Sequence, residues 1–437
     1  MARILFTTFG SYGDLHPFLA IAIGMRARGH HCSIGASDFY REKVEGEDIA
    51  FVPVRPDVGA LAGQAEFAKK IWDPRKGPQT LLRDYLIPQV EQSYEDLYAA
   101  SANADLLVSH SATYAGPIVA EMRKIPWLSF VLQPTSFFSA WDPPVLPPAP
   151  WFHHLRSMGH APFSLALDLG KQSLKLWTGP VRKLRRRLGL PRAANPIFEG
   201  QFSPWGTVAL FSQHFAQPQP DWPPHTKCVG FPFYDRQQAG YSMDPALDEF
   251  LAQGPPPVVF TLGSSAVYAP GEFYEESLAA AQRLGIRAVL LTGIGIDQNV
   301  PAALPSCIFA TKYAPYSELL PRAAAAVHQG GIGTTAQALR AGRPMLVAPW
   351  SFDQPDNARR VRRLGVARTI GRERYKSARV AEELNLLLSD AAMKTKAAEL
   401  GRLIREENAV IGACDELQRV IDTGSIGGSQ SAFATIS

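Results

Sequence analysis

The chain has 437 residues, 46% hydrophobic and 19% charged, enough apolar material for two or three packed domains, which excludes a disordered chain or one small module. Forty-four Lys and Arg against 40 Asp and Glu leave a net charge of +4, too thin a surplus to imply nucleic acid as a partner. The cysteines Cys32, Cys228, Cys307 and Cys414 form neither a CxxC pair nor a disulfide spacing, and they read as reduced thiols of a cytoplasmic protein.

MARILFTTFG is apolar only until Gly10, Gly13 and Asp14 interrupt it, so it reads as a first strand and not as a secretion signal. No 18 apolar residues run together, and no transmembrane helix is expected. After ILFTTF a helix is expected from about Pro17 to Arg28, with Pro17 at its first position and Gly29 just past its end. Strand-like HHCSIGAS, FVPV, DLLVSHS and WLSFVL follow, and this alternation predicts a parallel α/β sheet.

From Gln133 to Trp151 the chain is Pro-rich and aromatic, a composition for a mobile wall or lid. Phe137, Phe138, Trp141, Trp151 and Phe152 there suit an apolar acceptor bearing a hydroxyl, or else packing between domains. The cationic VRKLRRRLGLPR at 181–192 reads first as a solvated helix face and second as a peripheral contact with an anionic lipid surface. QPQPDWPPH at 217–225 and GPPP at 254–257 look like linker. From Val258 the alternation restarts with VVFTLGSS, a helix near Glu272 to Leu284, AVLLTGIG, CIFATKYA, AAAAVHQGG, a helix from about Ile332 to Arg340, and PMLVAPW. The expected division is a domain over 1–216, a linker region over 217–257, a second domain over 258–422 and a flexible tail over 423–437.

Ligands of open α/β sheets bind beyond the carboxyl ends of strands. At one such turn Gly330, Gly331 and Gly333 let a diphosphate approach, Thr334 and Thr335 add hydroxyls, and His328 stands at the strand end. Asp353 and Gln354, after the next strand, offer acceptors for sugar hydroxyls, although before Pro355 such a pair is more often turn chemistry. Gly263, Ser264 and Ser265 end a third strand. In the amino-terminal half, GSYGDLHPF places Asp14 and His16 at a helix start, where Asp14 is either a cap or a general base.

Together GSYGDLHPF, TLGSS, KYAP, HQGGIGTT and APWSFDQPDN resemble the family 1 nucleotide-sugar glycosyltransferases. Similarity is greatest to the bacterial rhamnosyltransferases of rhamnolipid synthesis and to sterol glucosyltransferases, and IWDPRKG, DWPP and GFPFYD spread it over nearly the whole sequence. The resemblance implies the GT-B fold: two facing Rossmann-like α/β domains with parallel sheets and an interdomain cleft, the first binding acceptor and the second donor. It implies that Tyr313 stacks on the base, Ala314 bonds the base edge, His328, Gly331, Gly333, Thr334 and Ser264 hold the diphosphate, and Asp353 and Gln354 bond the sugar. Asp14 matches the family's catalytic base, with His16 beside it; Phe137, Phe138, Trp141 and His110 fall to the acceptor side. No cofactor and no divalent metal are expected beside the nucleotide-sugar co-substrate, a dTDP- or UDP-sugar.

Two departures stand out. The ribose-binding Glu of plant members finds Ala336 here, with Gln337 next to it, and the acid that orients the plant catalytic His finds His110 or Ser111. As base, Asp14 would need no such partner. The implied reaction is inverting transfer of rhamnose or glucose to a flavonoid, polyketide, sterol or hydroxy-fatty acyl lipid. A nucleotide-sugar epimerase and a non-catalytic nucleotide-sugar-binding protein are the rivals, and Asp14 argues against the latter.

Overall fold

The computed structural model describes residues 1–57, 65–235, 243–293, 300–301 and 303–424. The described residues form two compact units: those of Met1–Leu61, Pro78–Tyr234 and Asn408–Ser437 make the first, those of Ala62–Gly77 and Asp235–Glu407 the second.

The first unit holds seven parallel strands, β1 (Arg3–Thr7), β2 (His31–Ala36), β3 (Ala50–Pro53), β4 (Leu106–His110), β5 (Trp127–Val131), β6 (Thr207–Ala209) and β7 (Thr226–Cys228), in the order β3-β2-β1-β4-β5-β6-β7. The second holds six, β8 (Val258–Thr261), β9 (Ala288–Leu291), β10 (Ile308–Thr311), β11 (Ala325–His328), β12 (Met345–Val347) and β13 (Ala367–Thr369), in the order β10-β9-β8-β11-β12-β13. β1, β4, β8 and β11 are short runs of Ile, Leu, Val, Phe and Ala, almost wholly buried, as strands covered by helices on both faces must be. In each sheet the order reverses once, between β1 and β4 and between β8 and β11. Consecutive crossovers leave opposite faces there, so the loops at the carboxyl ends of those strands part and leave room for a ligand.

The borders expected at 216 and 258 rest on Pro-rich stretches and the one at 422 on a Gly/Ser-rich tail, whereas packing divides the chain elsewhere. Ala68 and Trp72, near the start of the chain, are buried in the second unit's core with Phe260, Trp350 and Tyr375. Ala413, Cys414, Leu417 and Val420, in the Ala409–Gly424 helix, pack into the first unit's core against Phe18, Ile21 and Met25. Hydrophobic burial, which ignores sequence distance, therefore assigns IWDPRKG to the second unit and the last helix to the first. Of the expected tail, Thr423 and Gly424 belong to that helix and 425–437 lie outside the described residues, as do 294–295 of the strand-like AVLLTGIG.

The first helix runs Tyr12–Ala27, five residues earlier than Pro17 signals. Ser11 is its N-cap: the Ser11 hydroxyl accepts the Gly13 N–H at 3.2 Å, and the Asp14 carboxylate accepts the Ser11 backbone N–H at 2.7 Å, a reciprocal capping box that starts the helix ahead of Pro17, which lies within it. The four cysteines are free. Among the described residues no helix is long and apolar enough to cross a membrane.

Candidate active site

In the first unit, Asp14 lies in the first turn of the helix that follows β1, and His110 ends β4, the two strands that flank the reversal. Asp14 and Phe18 are four residues apart and share a helix face. Both meet the imidazole: His110 Nε2 lies 3.9 Å from Asp14 Oδ1, and Phe18 packs edge-on at 5.9 Å between centroids. Backbone geometry fixes the tautomer. The Ala112 N–H donates to His110 Nδ1 at 3.2 Å, so the ring proton sits on Nε2, which is buried, aimed at the carboxylate and without a hydrogen-bond partner among the described residues. Burial pushes the His110 pKa down to about 4, so the ring is a neutral donor at pH 7.

The Asp14 carboxylate divides its work. Oδ2 accepts from the Ser11 backbone and, at 3.2 Å, from its hydroxyl, whereas Oδ1 faces His110. Gly10, at φ 134°, makes this possible, since a Cβ there would lie 2.1 Å from Asp14 Oδ2. The Tyr40 hydroxyl holds the loop by donating to the Gly10 carbonyl at 2.8 Å. About a quarter of the Asp14 side chain stays open, yet desolvation raises its pKa from 3.8 to about 6 against the lowering pull of the Ser11 hydrogen bonds. Asp14 is therefore cap and perturbed carboxylate at once, and its nearest ring neighbour is His110, 3.9 Å away, which the resemblance places on the acceptor side.

His16 does not join it. Two residues along a helix point about 200° apart, and His16 stacks on Tyr234 at 4.9 Å and against Tyr12 at 5.4 Å. Burial, with the nearby Lys43 charge, lowers its pKa to about 3. On the expected acceptor side, Phe137 is buried in an aromatic stack with Trp222, 4.2 Å away, and with Phe202. Phe138 turns onto Phe198 at 4.7 Å. Trp141 is 44% exposed and stacks on His160. The aromatic segment thus divides between packing and solvent.

In the second unit the loops after β8 and β11 converge, because a Cβ at Gly263 would lie 2.6 Å from Gln329 Nε2 and 3.1 Å from Thr334 Oγ1. His328, at the end of β11, is fully buried. Its Nδ1 accepts the Gly330 N–H at 3.0 Å, so its proton too sits on Nε2, which has no partner among the described residues. Burial lowers its pKa to about 3 and keeps it neutral. Gln329 Oε1 and Thr335 Oγ1 are likewise buried and unpartnered.

The Ile332–Arg340 helix starts after Gly331, with no side-chain cap on that residue, and its first-turn N–H groups precede the ladder that begins with Thr335 N–H donating to Gly331 O. Asp353 takes the Ile332 N–H at 3.2 Å and an Asn357 N–H at 2.6 Å on Oδ2, so its carboxylate lies at the same helix end. Gln354 is 3% exposed, and its carbonyl accepts the Trp350 and Ser351 N–H groups at 2.8 and 3.2 Å. That oxygen closes its own turn. Ser264 is exposed, Tyr313 is 37% exposed, and Ala314 is buried after β10. Ala336 is buried, and the neighbouring Gln337 carries an unpartnered buried carbonyl.

Sequence reasoning missed Ser11, whose S-x-x-D spacing to Asp14 was a legible cap, and Asn357, which nothing local marks. Each unit thus brings a neutral histidine N–H to its own switch point, and each histidine has a carboxylate near by: Asp14 beside His110, and Asp353 at the start of the helix that follows His328.

Residues 4–137 match the glycosyltransferase family 28 amino-terminal domain, and 287–417 match the carboxy-terminal domain of erythromycin biosynthesis protein CIII-like proteins. The chain is 32% identical to the O-mycaminosyltylonolide 6-deoxyallosyltransferase of Streptomyces fradiae over 96% of its own length and 98% of that protein's. It is a family 1 glycosyltransferase of the GT-B fold. This glycosyltransferase is also 27% identical to a sterol 3-beta-glucosyltransferase of Arabidopsis thaliana, over 94% of its length and 64% of the plant protein's. Among solved structures, glycosyltransferase VinC in complex with dTDP shares its fold, with a TM-score of 0.67 at 20% identity, over 97% of this chain and the whole of the other.

Proposed function

We propose that this glycosyltransferase moves a sugar from a dTDP- or UDP-sugar to a hydroxyl of an apolar acceptor, a macrolide-like polyketide or a sterol, with inversion at the anomeric carbon. The observation that carries the reading is the Asp14 carboxylate, raised to about 6, held through one oxygen by Ser11 and facing the neutral His110 N–H at 3.9 Å through the other. A base poised near the working pH, with one oxygen fixed and the other free, is what proton abstraction from a hydroxyl needs.

The acceptor oxygen attacks the anomeric carbon, the bond from that carbon to the diphosphate oxygen breaks, and Asp14 takes the hydroxyl proton. A single displacement inverts the centre. Charge on the leaving diphosphate is met by His328 Nε2–H, the first-turn N–H groups of Gly333 and Thr334, and the Ser264 turn. These donors make a divalent cation unnecessary, so chelation leaves the rate unchanged. Tyr313 stacks on the base beside Ala314, and Asp353, whose carboxylate lies at the same helix start, bonds sugar hydroxyls. The names of the relatives support the acceptor and donor classes: one transfers 6-deoxyallose to O-mycaminosyltylonolide, one glucosylates sterols, and one binds dTDP.

The test offers dTDP-rhamnose, UDP-glucose and related donors against macrolide aglycones, sterols and hydroxy-fatty acyl lipids, with products followed by mass. A conjugate of sugar and acceptor supports transfer. A free donor converted to its epimer, or no change with any pair, contradicts it.

A further inference from the structure

We propose that the solvent-facing side of the His160–Ser173 helix and its flanking turns is a docking surface for an anionic phospholipid bilayer. Eleven large apolar side chains are exposed among the described residues, and six of them, Trp141, Trp151, Met158, Leu165, Leu169 and Leu176, fall within residues 141–176. The helix is preceded by the turns of Phe152–Met158 and followed by those of Leu174–Leu176, so the segment is helical for most of its length.

Its sequence carries two apolar stripes. Phe163, Leu167 and Leu174, spaced by four and seven, face inward: Phe163 is fully buried, and Leu167 and Leu174 pack on the first unit's core. Met158, Leu165, Leu169 and Leu176, spaced by seven, four and seven, fall on the opposite side, where they are 64–85% exposed. Helical periodicity accounts for both stripes, and the core accounts for the inner one. The outer one has no use within the unit.

Charge says what covers it. Between Trp151 and Arg192 there are nine Lys and Arg against the single Asp168; Lys171, Arg185 and Arg187 pair with Glu199, Glu121 and Glu91, and the surplus that is left is still basic. Lys175, Lys183, Arg186 and Arg192 are exposed and have no carboxylate partner among the described residues. Lys175 adjoins Leu176, and the Gly179–Arg187 helix, which carries Lys183 and Arg186, begins three residues later. A long basic stem such as that of Lys175, next to Leu176, lets the leucine enter the acyl boundary while the cation stays among headgroups, and the cations of the following helix add to the attraction of an anionic surface. A small molecule needs a concavity and this face is a convex helix, whereas protein interfaces are depleted in Lys. A flat anionic surface fits both features. The proposal concerns the first unit alone and stands independently of the transfer reaction.

The test is co-sedimentation of the full-length protein with vesicles of phosphatidylcholine, alone or mixed with phosphatidylglycerol. The wild type should pellet with the mixed vesicles and release in high salt. A Leu165→Gln, Leu169→Gln, Leu176→Gln variant and a Lys175→Glu, Lys183→Glu, Arg186→Glu variant should each bind about tenfold more weakly or worse, each basic residue at the surface being worth roughly fivefold. All six side chains are exposed, so melting should be unchanged, and the charge variant keeps the stripe intact as a control for folding. Failure to pellet, equal binding to phosphatidylcholine alone, or unchanged binding by either variant overturns the proposal. So does a lipid-free dimer that the glutamine variant dissolves, since it assigns the face to a second copy of the chain.

Discussion

Replacing Asp14 by Asn should cost activity and add stability, and the added stability should depend on pH. The carboxyl titrates at 3.8 in an unstructured chain and at about 6 in the fold, a gap worth about 3 kcal/mol of ionisation penalty. Because the folded pKa is the higher one, the stability tied to this group is complete below 3.8 and lost as pH rises through 6. At about pH 8 the wild type carries that penalty in full and Asn, which cannot ionise, does not. The charged hydrogen bonds to Ser11 are weakened in exchange, at about 1 kcal/mol, so the net gain is about 1–2 kcal/mol. For a unit of this size that raises the melting temperature by roughly 2–4 °C per kcal/mol. Melts of both proteins across the pH range, beside transfer rates, make the assay. The rate should fall by about a hundredfold or more with nucleotide affinity unchanged. A variant no more stable than wild type in alkali, a gap that persists in acid, or near-normal turnover would refute the reasoning.

Three further substitutions probe the neighbours. Gly10→Ala places a methyl against Asp14 Oδ2, and the displaced carboxylate should cost at least about tenfold in kcat with nucleotide affinity intact, measured by single-turnover rates. His110→Phe keeps the packing against Phe18 but removes the N–H aimed at Asp14; the acid limb of kcat/KM should rise by about half a unit to one unit and return toward wild type in His110→Gln. His328→Ala should weaken binding of dTDP or UDP by roughly tenfold in calorimetric titration, since a buried N–H reserved for the anion is lost; unaltered affinity would place the diphosphate elsewhere.

Much of the fold was legible because buried parallel strands are continuous apolar runs, and ILFTTF, DLLVSHS, VVFTLGSS and AAAAVHQGG all became strands. β6, β7 and β13 were not anticipated: TVA, TKC and ART mix polar and apolar residues over only three positions, whereas the equally short β12, MLV, is wholly apolar and stood out. The unit borders were illegible for another reason. Trp72 and Cys414 join cores far away in sequence, and no local composition encodes that. At the site, glycine-rich turns marked His328 and Asp14, but the pairing of Asp14 with His110 depends on β1 lying beside β4, which is a topological fact. Helical periodicity alone separates His16 from Asp14, and the burial of Phe137 and Gln354 follows from what packs on them.

The most direct test of the central claim is the anomeric configuration of the conjugate, read by NMR from the one-bond carbon–proton coupling of a product made from a donor of defined anomer. A single displacement assisted by Asp14 predicts the opposite anomer to the donor's. A product that retains the donor's configuration would require two displacements and a covalent or ion-pair intermediate, and would contradict the account.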